Sequence, residues 1–510
     1  MNGAHSLVKT LLAAGVDTCF ANPGTSEMHF VAALDEIPGM HCVLGLQENV
    51  VTGMADGYFR IAGKPACTLL HCGPGLANGF ANLHNARRAR SGIVNIVGDQ
   101  ATYHRPFDAP LTADTDLIAR AASNWVRTST RSADVGGDAA AAVQAARMSQ
   151  VATLILPSDA SWEEGGVAAP ALPDLQPPAI DLLALETCLR ALRGNGKVLL
   201  LLGGRAVLSE GLQLAWRVAQ ASGASLMCEY GVARVARGQG RVPIDRVPYA
   251  GSAAAAALAP FDHILLIAAN APVAFFAYPG QPSFHQAPRT QLHTLARVDQ
   301  DPRAALQMLV DAIGAPDAAA PDPGPRPSIA TGAPTPEGLA RTVAALMPEN
   351  AIVSDESVSY GRGFYPHTRA AAPHDWLHLT GGAIGDGLPV ATGAALAGSG
   401  RGVISLQADG SAMYSLQSLW TQAREKLPCT TIILSNRKYN ILIGEYEAVG
   451  AEPGATAMSM LDLGNPDLDW VSLAKGMGVE AAVATTMEQC ADLMAQSFGR
   501  DGPFLIELVV

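Results

Sequence analysis

One segment of the sequence carries the residue types best suited to holding a phosphate and a metal ion. In ISLQADGSAMYSLQSLWTQAREKLPCTTIILSNRKYNIL, an apolar run from Val403 to Gln407 ends in Ala408-Asp409-Gly410-Ser411. A helix of roughly fifteen residues is expected next, and Pro428 opens the approach to a second apolar run. That run ends at Asn436, 436 − 409 = 27 residues after Asp409. Two neighbouring parallel strands joined by a crossover helix bring their carboxyl ends side by side, so Asp409 and Asn436 can reach one ion. Gly410 lets a phosphate approach backbone N–H groups closely. One carboxylate, one amide and a main-chain carbonyl, completed to six by phosphate oxygens and water, form a hard oxygen set suited to Mg2+. Asp-Gly-Ser alone is a common strand-to-helix turn. The crossover spacing and the Asn at the next strand end make the pattern specific.

Ligands at strand ends need parallel sheets to hold them. Along the chain, short apolar runs alternate with longer Ala- and Leu-rich segments of helical character, which predicts α/β architecture with parallel sheets covered on both faces. Expected strands include Cys42 to Leu46, Ala66 to His71, Ile93 to Val97 and Ala152 to Leu156 in a first unit over residues 1–167. A Pro-rich linker from Ala168 to Pro178 separates it from a second unit over 179–313. There the strands are expected at Lys197 to Leu202, Ser225 to Glu229, His263 to Ala268 and Leu292 to Val298. A Pro/Ala/Gly-rich stretch over 314–336 reads as an exposed, extended linker. A third unit over 337–510 repeats the pattern, with strands near Ala351 to Ser354, Gly402 to Gln407, Cys429 to Leu434 and Phe504 to Val509.

Composition removes several function classes. With 510 residues, 49% of them hydrophobic and 16% charged, the chain can build large cores and is not disordered. Its net charge, 34 − 46 = −12, offers no polyanion-binding footprint, so no nucleic-acid partner is expected. Eight cysteines without a CxxC pair read as small buried hydrophobes. The opening MNGAHSLVKTLLAAGVDTCF is interrupted by Lys9 and Asp17, and no membrane-length apolar run occurs, so a soluble cytoplasmic protein is expected.

The Asp409–Asn436 constellation resembles the diphosphate motif of the thiamine diphosphate enzymes in the 2-oxo acid decarboxylase and acetolactate synthase superfamily. In that motif GDG is followed by about 25 residues and Asn-Asn. Ala408 replaces the first Gly and Ser435 the first Asn, while Asp409 and Asn436 keep the ligand positions. The resemblance implies thiamine diphosphate and Mg2+ as cofactors, with the main-chain oxygen of Lys438 as third protein ligand and Gly410 and Ser411 beside the diphosphate. It also implies a three-domain fold: a pyrimidine-binding domain, a Rossmann-like middle domain and a diphosphate-binding domain. Upstream, GAIGDGLPVATGAAL resembles the segment that passes under the cofactor ring, with Gly382 offering a carbonyl to the 4′-amino group and Ile384 forcing the bent form. Asp386 stands where such enzymes commonly carry Phe, a departure that the sequence does not explain. Tyr439, Asn440 and Ile441 match the loop and helix covering the site; Ile441 and Leu442, with Phe275 and Phe276, would give an apolar or aromatic slot.

The match extends to the first unit. In CVLGLQENVVTGMADGYFRIAGKPA, Glu48 follows a strand and opens a helix, where an acid also complements the helix dipole. The resemblance makes it the glutamate of a partner subunit that shares a proton with the aminopyrimidine and activates the cofactor. ANPGTSEMHF and LLHCGPGLANG place Ser26 and His71 as in benzoylformate decarboxylase, where the equivalent Ser contacts the substrate carboxylate and the equivalent His moves protons. The second histidine of those enzymes follows an Ala-Pro-Val; here Ala271-Pro272-Val273 is followed by Ala277 at that position. His285 and His104 are the nearby substitutes, and His104 is taken as the catalytic candidate.

The resulting expectation is non-oxidative decarboxylation of a small 2-oxo acid through a C2 ylid and an enamine. The alternative is a carboligase of the acetolactate synthase kind or another C–C lyase. A flavin-bearing synthase has little room in this short middle unit. A non-catalytic relative would have lost Glu48 or the metal ligands, and Gly203-Gly204 does not form a dinucleotide fingerprint. Sites shared between subunits imply a homodimer at least and favour a homotetramer.

Overall fold

A computed structural model describes residues 1–510 apart from the side chain of Glu447. Eighteen strands form three sheets. The first sheet holds β1 (Thr18–Asn22), β2 (His41–Leu44), β3 (Ala66–His71), β4 (Ile93–Asp99), β5 (Trp125–Thr128) and β6 (Val151–Pro157), ordered β2-β1-β3-β4-β6-β5 and parallel throughout. β4 and β6 are buried at every residue, which is why they read as unbroken apolar runs rather than alternating ones.

The middle sheet holds β7 (Val198–Leu202), β8 (Ser225–Cys228), β10 (Asp245–Arg246), β11 (His263–Ile267) and β12 (Gln291–Ala296), in the order β10-β8-β7-β11-β12. The strand between β8 and β10 in sequence, β9 (Arg234–Arg237), leaves this sheet. It pairs antiparallel with β14 (His374–His378) at the edge of the third sheet, the one antiparallel strand of that sheet. The expected middle unit over 179–313 thus lends one strand to the third sheet, and Arg234-Val235-Ala236-Arg237 has no apolar run to announce the crossing. Arg234 anchors the crossing through both oxygens of Asp375 at 3.1 Å.

The third sheet adds β13 (Ile352–Glu356), β15 (Val403–Ala408), β16 (Cys429–Ser435), β17 (Glu480–Ala484) and β18 (Phe504–Val509), ordered β17-β18-β16-β15-β13-β14-β9. β15 and β16 are neighbours in parallel register, Ala408 opposite Leu434, so Asp409 and Asn436 leave adjacent strand ends as the spacing requires. The connection between them differs from the expected single helix. It is two short helices, Asp409–Ala412 and Ser418–Arg424, separated at Met413–Gln417. The Pro/Ala-rich stretch after residue 313 is extended but not free. Trp216 and Arg217 donate to the carbonyls of Ala319, Pro316 and Ala315 and hold it on the helix Ser209–Ser222.

First and third units meet where the helix Glu48–Ala62 crosses the helix Gly387–Ala397. The crossing depends on missing side chains. A Cβ at Gly57 would lie 2.1 Å from the Val390 carbonyl oxygen, and one at Gly393 would lie 1.8 Å from that of Met54. Glycine at these positions lets two backbones touch, which fixes the first sheet's Glu48 helix against the segment that follows Gly382. Seven of the eight cysteines are buried; Cys42 is exposed. No helix among the described residues is long and apolar enough to cross a membrane.

Candidate active site

At the carboxyl ends of β15 and β16 the chain folds around a buried carboxylate. Asp409 is 2% exposed. Its Oδ1 accepts the Gly410 N–H at 2.8 Å and its Oδ2 accepts the Arg437 N–H at 2.7 Å. Burial raises the carboxyl above its usual range, and these main-chain donors oppose that shift. Asn436 Oδ1 accepts the Lys438 N–H at 3.0 Å, and Arg437 between them takes a left-handed φ of 58°. The turn therefore curls the 436–438 backbone over Asp409. Gly410 faces Tyr439: a Cβ there would stand 2.4 Å from the ring. The turn carries a carboxylate and an amide oxygen at adjacent strand ends and no soft ligand, a donor chemistry that fits Mg2+ and a diphosphate. Tyr439, Asn440 and Ile441 continue into the helix Asn440–Ala448.

A second stretch approaches the same end of the third sheet. Gly382, at φ 81°, begins the turn before the helix Gly387–Ala397, and the Phe275 ring from the middle unit occupies the space a Cβ at Gly382 would fill, 2.3 Å away. Phe275 stacks with Phe276 and Tyr249, at centroid distances of 5.1 and 5.5 Å. The turn is tied to the first unit. Asn85 Nδ2 donates to the Ala383 carbonyl at 2.8 Å and Asn82 Nδ2 to that of Gly385 at 3.1 Å. Ile384 sits between these two anchors and is half-buried. Beside Gly381 and Phe275 a cavity of about 630 Å³ opens between the first and middle units, reaching Tyr249, His285 and Glu229.

The first sheet contributes two groups at its own carboxyl end. Glu48 opens its helix, half-buried against the backbone at Gly75, and its Oε2 accepts from Asn78 Nδ2 at 3.1 Å. The preceding Gln47 caps the helix, its Oε1 accepting the Asn49 N–H at 2.6 Å. The second group gathers round His71 at the end of β3. Ser26 Oγ and Glu27 Oε2 each lie 3.0 Å from His71 Nδ1, and Ser26 also donates to Glu27. Glu27 is 2% exposed and accepts the Gly24 N–H at 2.7 Å. Ser26 and His71 are thus brought together, and Glu27 is a residue that sequence reading passed over. A carboxylate on Nδ1 fixes the imidazole orientation and leaves Nε2 for proton transfer. The signal was available as an acid one residue after Ser26, but nothing in the sequence showed that it faces His71. His104 joins none of these hydrogen bonds; its ring packs on Phe107 at 5.9 Å. His285 is buried, with burial lowering its pKa, and its N–H donates to the Pro272 carbonyl at 3.0 Å.

Parallel sheets that place the Asp409–Asn436 turn at the carboxyl edge of one unit and a helix-opening glutamate at that of another have the build of an α/β enzyme with its chemistry at strand ends. Residues 1–119 match the description "Thiamine pyrophosphate enzyme, N-terminal TPP binding domain" and residues 359–508 "Thiamine pyrophosphate enzyme, C-terminal TPP binding domain". The chain is 49% identical to the "Putative acetolactate synthase large subunit IlvX" of Mycobacterium tuberculosis, over 100% of this chain and 99% of the relative. It is 31% identical to benzoylformate decarboxylase of Pseudomonas aeruginosa, again over 100% and 99%. A thiamine diphosphate-dependent 4-hydroxybenzoylformate decarboxylase from Rhodococcus jostii shares the fold, with a TM-score of 0.85 at 24% identity, over 99% of this chain and 98% of that one. The chain belongs to the thiamine diphosphate-dependent 2-oxo acid decarboxylase and acetolactate synthase superfamily. It is a thiamine diphosphate enzyme that makes or breaks a carbon–carbon bond of a 2-oxo acid.

Proposed function

We propose that the enzyme is a carboligase: it removes CO2 from one 2-oxo acid and transfers the remaining acyl group to the carbonyl carbon of a second. This departs from simple decarboxylation, the main expectation from sequence, and takes up its alternative. The near-full-length relative at 49% identity carries a synthase description. The observation that carries the reading is in the loop that touches Gly382. It brings the Phe275 ring to the turn but has Ala277 at the position of the second histidine of benzoylformate decarboxylases. The adjacent Tyr278 is engaged elsewhere, donating to Glu445 Oε2 at 2.7 Å, with its phenol pushed up to about 12. Residues 277 and 278 then supply no free proton donor there, which would favour transfer to an acceptor carbonyl over protonation.

Bound thiamine diphosphate supplies the nucleophilic carbon and the electron sink for this chemistry. In the proposed site Asp409, Asn436 and the Lys438 carbonyl hold Mg2+, and Gly410 and Ser411 hold the diphosphate. The Gly382 carbonyl would accept a hydrogen bond from the aminopyrimidine, and Ile384 would pack against the cofactor. Glu48, from the partner subunit, would hold a proton for that ring. Ser26 and His71 would orient the substrate carboxylate, with His71 Nε2 free to hold or move a proton beside it. Tyr439, Asn440 and Ile441 close the site. A dimer follows from this arrangement, and exposed Tyr103, Phe107 and Leu111 near the first unit's loops give it apolar surface to bury.

The second reading, release of a free aldehyde, is favoured by one observation, the Ser26–Glu27–His71 set, which could deliver the missing proton. Reconstituted enzyme with thiamine diphosphate and Mg2+, given pyruvate, branched 2-oxo acids or benzoylformate with and without a second carbonyl compound, separates the two. Mass spectrometry should find CO2 with a 2-hydroxy-ketone or 2-hydroxy-2-acyl acid as the main product. Aldehyde as the main product in the presence of acceptor would overturn the carboligase reading.

A further inference from the structure

Asp386 lies in a buried cluster of charges directly behind the Gly382 turn. It is 1% exposed, and its Oδ2 stands 3.6 Å from Arg60 Nη2. Arg60 is already committed. It forms two bonds with Asp56, Nε to Oδ1 at 2.8 Å and Nη2 to Oδ2 at 2.5 Å, and donates Nη1 to the His378 carbonyl at 2.7 Å. Asp56 is completely buried and accepts a further bond from Ser91 Oγ. On the other side, Glu356 is 2% exposed and accepts three main-chain N–H groups: Gly385 at 2.8 Å, Asp386 at 3.3 Å and Gly387 at 2.8 Å. It therefore caps the start of the Gly387–Ala397 helix and shapes the turn from beneath.

The charge count does not balance. Asp56 and Asp386 face one guanidinium, and Glu356 lies beside Asp386, all out of water. An unpaired buried carboxylate is costly, and the group with the poorest partners takes a proton instead. Asp56 has the bidentate arginine and Glu356 has the helix N-terminus. Asp386 Oδ1 has no hydrogen-bond partner, and Gln407 Oε1, whose side chain packs against Gly387, is likewise an acceptor without a donor. Burial, with Asp56 and Glu356 adding to it, lifts the Asp386 carboxyl well above its usual range despite Arg60.

We propose that Asp386 acts as a neutral carboxylic acid that positions the cofactor-facing Gly382–Gly387 turn, locking it between Glu356 and the Asp56–Arg60 pair. The assignment rests on the reading of that turn as the seat of thiamine diphosphate. Asp386 touches no reacting atom; it acts through the turn. Glu356, raised to about 7 by burial with Asp355 adding to it, ionises first as pH rises, in wild type and variants alike; ionisation of Asp386 beyond that would place a third buried negative charge beside Asp56 and Glu356, with Arg60 as the facing cation among the described residues. Asn85 and Gln407, the polar neighbours from the Phe80–Ala89 helix and β15, carry no charge. The turn then loosens as pH rises.

The test compares wild type with Asp386→Asn, which imitates the neutral acid, and Asp386→Ala, which removes it. Two readouts are hydrogen exchange of residues 382–387 in the cofactor-free protein and thiamine diphosphate affinity with Mg2+ from pH 6 to 9. Asp386→Ala should exchange faster in this segment only and bind cofactor at least about tenfold more weakly. Asp386→Asn should match wild type at pH 6.5 and lose less affinity at pH 9. Unchanged exchange in Asp386→Ala, an Asn variant as weak as the Ala variant, or faster exchange with unaltered affinity would each overturn the proposal. If Asp386→Ala does not fold, the Asn comparison and its pH dependence decide. Failure of wild type itself to bind thiamine diphosphate would instead fell the assignment of the site.

Discussion

The carboxyl ends of the first and third sheets share a construction and differ in completeness. At the third sheet, Asp409 and Glu356 are 2% exposed, and main-chain N–H groups of the same unit meet their oxygens. At the first sheet, Glu48 is half-buried with one side-chain donor, Asn78, and the loops around it expose Tyr103 and Phe107, 63% and 75% accessible. One end is a finished cradle whose own backbone fixes it. The other presents an acid and apolar surface with little to oppose them. On the proposed reading, the contrast separates the end that one chain organises by itself from the end that a second surface would have to cover to make it dry enough for proton transfer.

If that division of labour is right, the largest effect comes from the open end. Glu48→Gln keeps shape and the Asn78 contact but cannot hold or give up the proton. Turnover of any accepted 2-oxo acid should fall by about 10²- to 10⁴-fold. Thiamine diphosphate affinity should change little, because the cradle on the third unit is intact. A variant that lost cofactor affinity in proportion to rate would erase the distinction between an activating end and a binding end. Mixing Glu48→Gln with Asp409→Ala protein sharpens it further. Each variant supplies what the other lacks, so part of the activity should return in the mixture if sites are shared between subunits, and none if each chain builds its own.

The difference between the two ends also explains what the sequence disclosed. Asp409 and Asn436 were legible because local pattern sets both strand ends and one crossover sets their distance. The place of Glu48 at a helix start was legible for the same reason, a strand followed by a helix start, while its proposed role rests on the family resemblance. Ile93 to Val97 and Phe504 to Val509 are found as expected because a doubly covered parallel strand has a continuous apolar signature. Groups that act across distance left no such trace. Glu27 reaches His71 over 44 residues, and Glu356 caps a turn about 30 residues on. β9 escaped because a short edge strand beginning and ending in Arg carries no apolar run, and its partner lies in another unit. The break at Met413–Gln417 escaped because Ala, Leu and Gln in that region suit a continuous helix, and tertiary packing overrides propensity there.

The buried cap at the closed end makes a smaller effect with a definite sign. Burial raises Glu356 from 4.5 to about 7. A carboxyl raised on folding lends its full stability below its unfolded pKa, and that stability is lost as pH rises through the folded value. Between pH 4.5 and 7 the loss is about 3 kcal/mol, from 1.36 kcal/mol for each unit. Wild type should therefore melt lower at pH 8 than at pH 5, and Glu356→Gln should show a flatter dependence at some cost in absolute stability. Equal slopes would mean that the closed end does not store its strain in this carboxylate.

The smallest effect falls on the link between orientation and proton transfer at the open end. His71 has its Nδ1 against Glu27, so the carboxylate should act by holding the ring rather than by touching substrate. Glu27→Gln preserves a hydrogen bond and removes the charge. Activity should drop by about tenfold, well short of Glu48→Gln. His71→Ala should make the Glu27 substitution silent, since the carboxylate then has no ring to hold. Additive losses in the double variant would show Glu27 acting on its own account. The open end would then contain two independent acids, and its dependence on a partner surface would have to be argued from Glu48 alone.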